Sequence, residues 1–97
     1  MLAQLTREAF DGQLNQIFLI KAGDANIEAE LVDCRSLPGE PEEGGRQPFS
    51  LLFRGPLEPA LPQRIYEVRN ENIGPFEIFL VPIGPDKVGM QYEAVFT

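Results

Sequence analysis

The chain of 97 residues has no histidine and only one cysteine, Cys34. Histidine is the usual proton shuttle near neutral pH and the commonest neutral metal ligand, so its absence removes most acid–base catalysis and most transition-metal sites. A lone thiol forms no intramolecular disulfide and has no imidazole to activate it, so no disulfide framework is implied and a reducing cytoplasm suffices for folding. Long apolar runs are also missing. The candidates are broken by Lys21, Glu77 or Pro82, and none approaches the roughly 20 residues that cross a bilayer. Basic patches are absent as well: eight Lys and Arg are scattered singly among fifteen Asp and Glu, giving a net charge of −7. That field repels phosphate backbones and anionic headgroups, so neither nucleic acid nor a membrane surface is an expected partner. The stretch Met1–Glu8 has no basic segment followed by an apolar run and no small-residue cleavage site. The expectation is a soluble protein made in the cytoplasm without a signal peptide.

What is present reads as one β-domain over residues 1–97, without internal repeats or a composition break. A chain of this size buries roughly 60–65% of its unfolded surface, enough for a core held by apolar burial alone. Thr6 has the side chain of a helix N-cap, Leu5 and Phe10 are spaced as a hydrophobic staple, and Gly12 is placed to stop the turn. A short helix near residues 7–11 is predicted. Beyond it, β-branched and aromatic residues dominate, with turn residues about every ten positions.

The segment 17–21 is apolar on both faces at its start, which predicts a central or helix-covered strand. Gly23-Asp24-Ala25-Asn26 turns the chain. Ile27, Ala29 and Leu31 then alternate with Glu28 and Glu30 until Val32 breaks the phase, which predicts a β-bulge near Leu31-Val32. Residues 36–48, rich in Gly, Pro and Glu, read as a mobile loop. Phe49, Leu51 and Phe53 share one face of the next strand, which Gly55-Pro56 ends. A stiff proline-rich connector, 56–62, leads to a strand around 64–69. The turn 70–75 leads to 76–83, apolar on both faces beyond Glu77 and so expected to be central. After a turn at 84–89, Tyr92, Ala94 and Phe96 face inward from the last strand. The predicted architecture is all-β with one short N-terminal helix: about six antiparallel strands in a barrel or sandwich.

The blocks Gly45-Arg46-Gln47-Pro48-Phe49-Ser50-Leu51-Leu52-Phe53-Arg54-Gly55-Pro56, Leu61-Pro62-Gln63 with Ile65-Tyr66, Phe79-Leu80-Val81-Pro82-Ile83-Gly84-Pro85 and Tyr92-Glu93-Ala94-Val95-Phe96 resemble a family of small bacterial proteins of uncharacterised function. The resemblance covers nearly the whole chain, including Leu5-Thr6 with Phe10 and Gly12. Members accompany phage-tail-collar-type fibre proteins, which implies a role in tail-like or surface assemblies. Arg64 departs from the pattern, standing where a small residue, commonly Gly, precedes the Ile-Tyr pair. The matching residues belong to strands and turns, so the resemblance implies a fold and no particular reaction.

No residue pattern specifies an active site. Cys34, at the end of an apolar strand, is expected to be a buried, inert thiol. Ser50 lies mid-strand, without the strand-to-helix elbow of a hydrolase nucleophile. Glu28 with Glu30, and Glu40 with Glu42 and Glu43, lack the spacing of a calcium loop and read as solvated carboxylates. Pro59-Ala60-Leu61-Pro62-Gln63-Arg64 has the P-x-x-P-x-R form of a polyproline ligand, but in a β-domain it is expected to be a rigid connector. No cofactor or metal is predicted. The functional expectation is a non-enzymatic structural or accessory protein-interaction domain, in a phage-tail-like or fibre assembly. A protein partner or a second copy would be met through loop 36–48, the connector and an exposed sheet edge, with Arg46, Arg54, Glu58 and Arg64 as contact residues. The alternative is a small-molecule or glycan-binding barrel with Tyr66, Tyr92 and Phe79 lining one concave face.

Overall fold

The computed structural model describes residues 6–38, 47–58 and 60–96. Helix α1, Arg7–Asp11, starts where predicted. Thr6 is extended, and its Oγ accepts a hydrogen bond from the Ala9 amide at 3.3 Å, satisfying one of the amides that a first helical turn leaves free. The staple partner Leu5 lies outside the described residues. Gly12 does end the helix, but in a right-handed conformation with φ −71°, so its special freedom is not used there. The left-handed residue is Asn15, φ 70°, whose amide donates to the Leu31 carbonyl at 2.7 Å. Asparagine tolerates that conformation better than most side chains.

Six strands follow: β1 Ile17–Ala22, β2 Ala25–Ser36, β3 Phe49–Gly55, β4 Arg64–Arg69, β5 Phe76–Pro85 and β6 Met90–Phe96. They close into an antiparallel barrel in the order β1-β2-β3-β6-β5-β4. The predicted bulge is present, with the β2–β3 register shifting between Leu31 and Asp33 around Val32. Beyond it β2 continues to Ser36, where alternation read from the sequence had broken off. A second bulge in β5, between Pro82 and Gly84, leaves Ile83 as the extra residue. The 36–48 loop was expected to be mobile throughout. Ser36 instead belongs to β2, and the described ends of the loop are joined: Leu37 N–H donates to the Pro48 carbonyl at 2.9 Å, and the Gln47 amide to the Leu37 carbonyl at 3.0 Å. Residues 39–46 lie outside the described residues.

Closure changes two other expectations. β1 and β5 were expected to be covered on both faces, yet each alternates. Phe18 and Ile20, and Phe76, Ile78 and Leu80, point into the barrel, while Ile17, Phe79 and Ile83 are exposed on its outer wall. A barrel has one inside, so an apolar residue on the other face of the pleat has nothing to cover it. The expected open sheet edge is also replaced, because β1 pairs with β4 to complete the ring. That ladder is the shortest: its register covers Leu19↔Arg69, Ile20↔Val68 and Lys21↔Glu67 only.

Side chains fill both ends of the barrel. At one end α1 inserts Phe10, fully buried, with its ring centroid 5.5–6.4 Å from those of Phe18, Phe49, Phe76 and Phe96. Truncating such a ring to alanine typically costs about 3–5 kcal/mol. At the other end the chain must travel from β3 to β4, which stand opposite one another in the ring. The connector therefore crosses the mouth of the barrel and buries Leu61 there.

Candidate interaction surface

The mouth crossed by the connector collects three of the four contact residues expected from sequence: Arg54 is next to last in β3, Glu58 lies in the connector, and Arg64 opens β4. The fourth, Arg46, lies outside the described residues. Their roles differ. Arg54 is not a free anchor: its guanidinium grips the Asp86 carboxylate at 2.5 and 2.7 Å. Asp86 in turn accepts the amides of Val88 and Gly89 at 2.8 Å each, so the pair ties the end of β3 to the β5–β6 turn. The Arg54 hydrogen bond and then these two amides hold the Asp86 carboxyl down at about 2. Glu58 and Arg64 are exposed, and Arg64 takes part in no ion pair with a described residue.

The three rings proposed to line one concave face do not share it. Tyr66 and Tyr92 point into the barrel, whereas Phe79 is on the outer wall. Both tyrosine hydroxyls hold the connector: Leu61 N–H donates to Tyr92 Oη at 2.8 Å, and Tyr66 Oη donates to the Pro62 carbonyl at 2.5 Å. Burial pushes the Tyr66 phenol above its ordinary value, against the pull of the Arg64 charge.

Cys34 is half-buried, packed against the core without belonging to it. Its Sγ–H points at the Arg7 carbonyl, 3.7 Å away. Burial first, and then the Asp11 carboxylate, push the thiol up to about 12, so it stays protonated. Glu28 and Glu30 lie on the outer wall as expected, while Glu40, Glu42 and Glu43 lie outside the described residues. Among the described residues, no three His, Cys, Asp or Glu side chains gather as a metal site.

What sequence reasoning missed is the outer wall itself. Ile65 of β4 and Phe79 of β5 are register partners, and with Ile83 and Val95 they form a band across β4, β5 and β6 that is 62, 48, 50 and 54% exposed. The alternation of these strands contained the signal, once both faces of the pleat were known not to be covered. Ser50, the register partner of Val95, faces the same wall. It is 7% exposed, and its hydroxyl makes no hydrogen bond to a described residue. It lines a depression of about 210 Å³ with Asp33, Arg35, Leu52, Ile83 and Glu93.

Two larger clefts flank the short β1–β4 seam. One, of about 420 Å³, lies at the connector end between the β1–β2 turn and β4. The other, of about 550 Å³, lies at the α1 end, with Ile17 and Leu19 beside Asn15, Gln16, Arg69 and Asn70. The family model for a domain of unknown function, DUF6916, matches residues 5–96. The chain belongs to this family. No curated protein and no solved structure matches it. The family match spans both plugged ends of the barrel and every strand, so the band and the two clefts are features of a family member's whole barrel.

Proposed function

We propose that this family member is a non-enzymatic, structural or accessory protein-interaction domain that docks a partner protein on the outer wall formed by β4, β5 and β6. The observation that carries this is the exposed band of Ile65, Phe79, Ile83 and Val95. Isolated exposed aliphatic residues are ordinary on a protein surface, but several adjoining ones, with a ring among them, mark a contact site. The Ser50 hydroxyl at the border of the band, without a hydrogen bond to a described residue, adds a polar group that a partner can satisfy. Acidic side chains on the same wall, Glu77 of β5 and Glu93 of β6, favour a partner surface with a basic rim. The resemblance to bacterial proteins that accompany phage-tail-collar-type proteins supports a tail-like or fibre assembly as the setting. A small-molecule or glycan-binding reading would rest on the 550 Å³ cleft, where the Asn70 amide is already committed to Gln13 at 2.9 Å.

Site-specific photo-crosslinking in the producing cell tests the proposal. A photoreactive residue at position 79 is compared with one at Glu28, on β2 at the opposite side of the ring. Position 79 should give discrete protein adducts and position 28 none. Equal labelling at both positions, or no adduct at 79, rules the docking wall out. Light scattering of the purified chain, whose monomer is 10.8 kDa, tells whether the adduct is a second copy.

A further inference from the structure

We propose that the edge of β4 over Arg64, Ile65 and Tyr66, with the cleft beside it, accepts an extended acidic segment of a partner protein as an added strand. The inference deepens the interaction reading and rests on it. On one side β4 is laddered to β5 from Arg64 to Val68, but on the other its pairing with β1 begins only at Glu67. β1 ends at Ala22, opposite Tyr66, and turns away through Gly23, φ 62°, so Tyr66 lies outside the ladder and Arg64 and Ile65 lie beyond the end of β1. These three positions make about 10 Å of strand edge. Strand edges offer main-chain donors and acceptors to an incoming chain.

The space is already shaped. The cleft of about 420 Å³ is walled by Lys21, Ala22 and Gly23 and by Leu61 and Pro62 of the connector. The two tyrosine hydroxyls pin that connector wall in place, so the edge is kept open beside a fixed surface.

The charges select the occupant. Lys21 and Arg64 both line the cleft, and neither takes part in an ion pair or side-chain hydrogen bond with a described residue. With Glu67, the register partner of Lys21, the charged lining of the cleft sums to one net positive charge in a chain of net charge −7. A second copy offering the same edge brings the same cations and is repelled, whereas an acidic strand is drawn in. Glu67, at the inner end where the β1 ladder starts, limits how far an acidic side chain can penetrate.

The test is selection from a library of random decapeptides on the immobilised full chain, followed by study of the enriched peptides. They should alternate apolar residues with Asp or Glu and slow amide exchange in the 64–66 segment. Methylating alternate peptide nitrogens should weaken them about tenfold, the loss expected for one or two ladder hydrogen bonds. Arg64→Gln and Lys21→Gln, both at exposed positions, should each weaken binding about fivefold, while Glu28→Gln, outside the cleft, leaves it unchanged. The slot is overturned if no peptide is enriched, if methylation is tolerated, or if protection falls on the wall around Phe79. Ile65 belongs to both surfaces, so the methylated peptides and the Arg64 and Lys21 variants decide the slot, and the crosslinks at position 79 decide the docking wall.

Discussion

Leu61 and Tyr92 lie 31 positions apart in the chain and meet at the mouth of the barrel, where the amide of the first donates to the phenolic oxygen of the second at 2.8 Å in a buried setting. One bond thus secures the plug of one barrel end to the inward face of β6. At the far end the aromatic cluster packed around Phe10 does the same work, beside the Asn15–Leu31 backbone hydrogen bond. The fold is in this sense a ring of strands stoppered twice, and its function is sought on the outside.

Tyr92→Phe keeps the ring and removes the acceptor, leaving the Leu61 amide buried and unsatisfied. Such a loss costs about 1–3 kcal/mol. Urea denaturation should show the unfolding free energy fall by that amount, through a lower midpoint with little change in slope. Tyr66→Phe, which frees a carbonyl instead of a buried amide, should cost less.

The Arg54–Asp86 pair sets an acid limit. The Asp86 carboxyl is held at about 2 in the folded chain against an ordinary value of 3.8, so the folded state prefers the ionised form. Its stabilising contribution is complete above the ordinary value and is lost as pH falls from there through the folded value. Asp86→Asn should flatten the acid limb of a stability–pH curve between about pH 4 and 2. A limb as steep as that of the parent would show that other carboxylates govern it.

Cys34 should react slowly. With its thiol raised to about 12, iodoacetamide labelling of the native protein at pH 8 should proceed at least about tenfold more slowly than that of the unfolded chain. Asp11→Asn removes the charge that supports the shift and should speed the reaction.

Two glycines should respond in opposite ways. A Cβ at Gly89 would collide with the Gly55 carbonyl oxygen, because the β5–β6 turn presses on the end of β3. Gly89→Ala should therefore lower the melting temperature and loosen the Asp86 turn. Gly23 has φ 62° with open space around it, so Gly23→Asn, a residue at home in that conformation, should be nearly neutral in a thermal melt.

Much of this molecule is local and was legible as such. The Thr6 cap depends on residues three apart, and the strands of the barrel depend on a two-residue pleat. The bulge at Val32 shows as a phase break, and the last turn as the turn residues of 84–89.

Closure decided the rest. Whether Ile65, Phe79 and Val95 are core or surface depends on whether a second layer covers them, and a strand's own sequence holds no information about what stacks on its other face. Alternation and capping follow from the sequence because they arise from the geometry of one backbone segment. The opposition of β3 and β4, the capture of Leu61 by Tyr92, the pairing of Arg54 with Asp86 and the end of the β1–β4 ladder at Glu67 arise from how distant segments meet. Only the closed tertiary structure sets those distances.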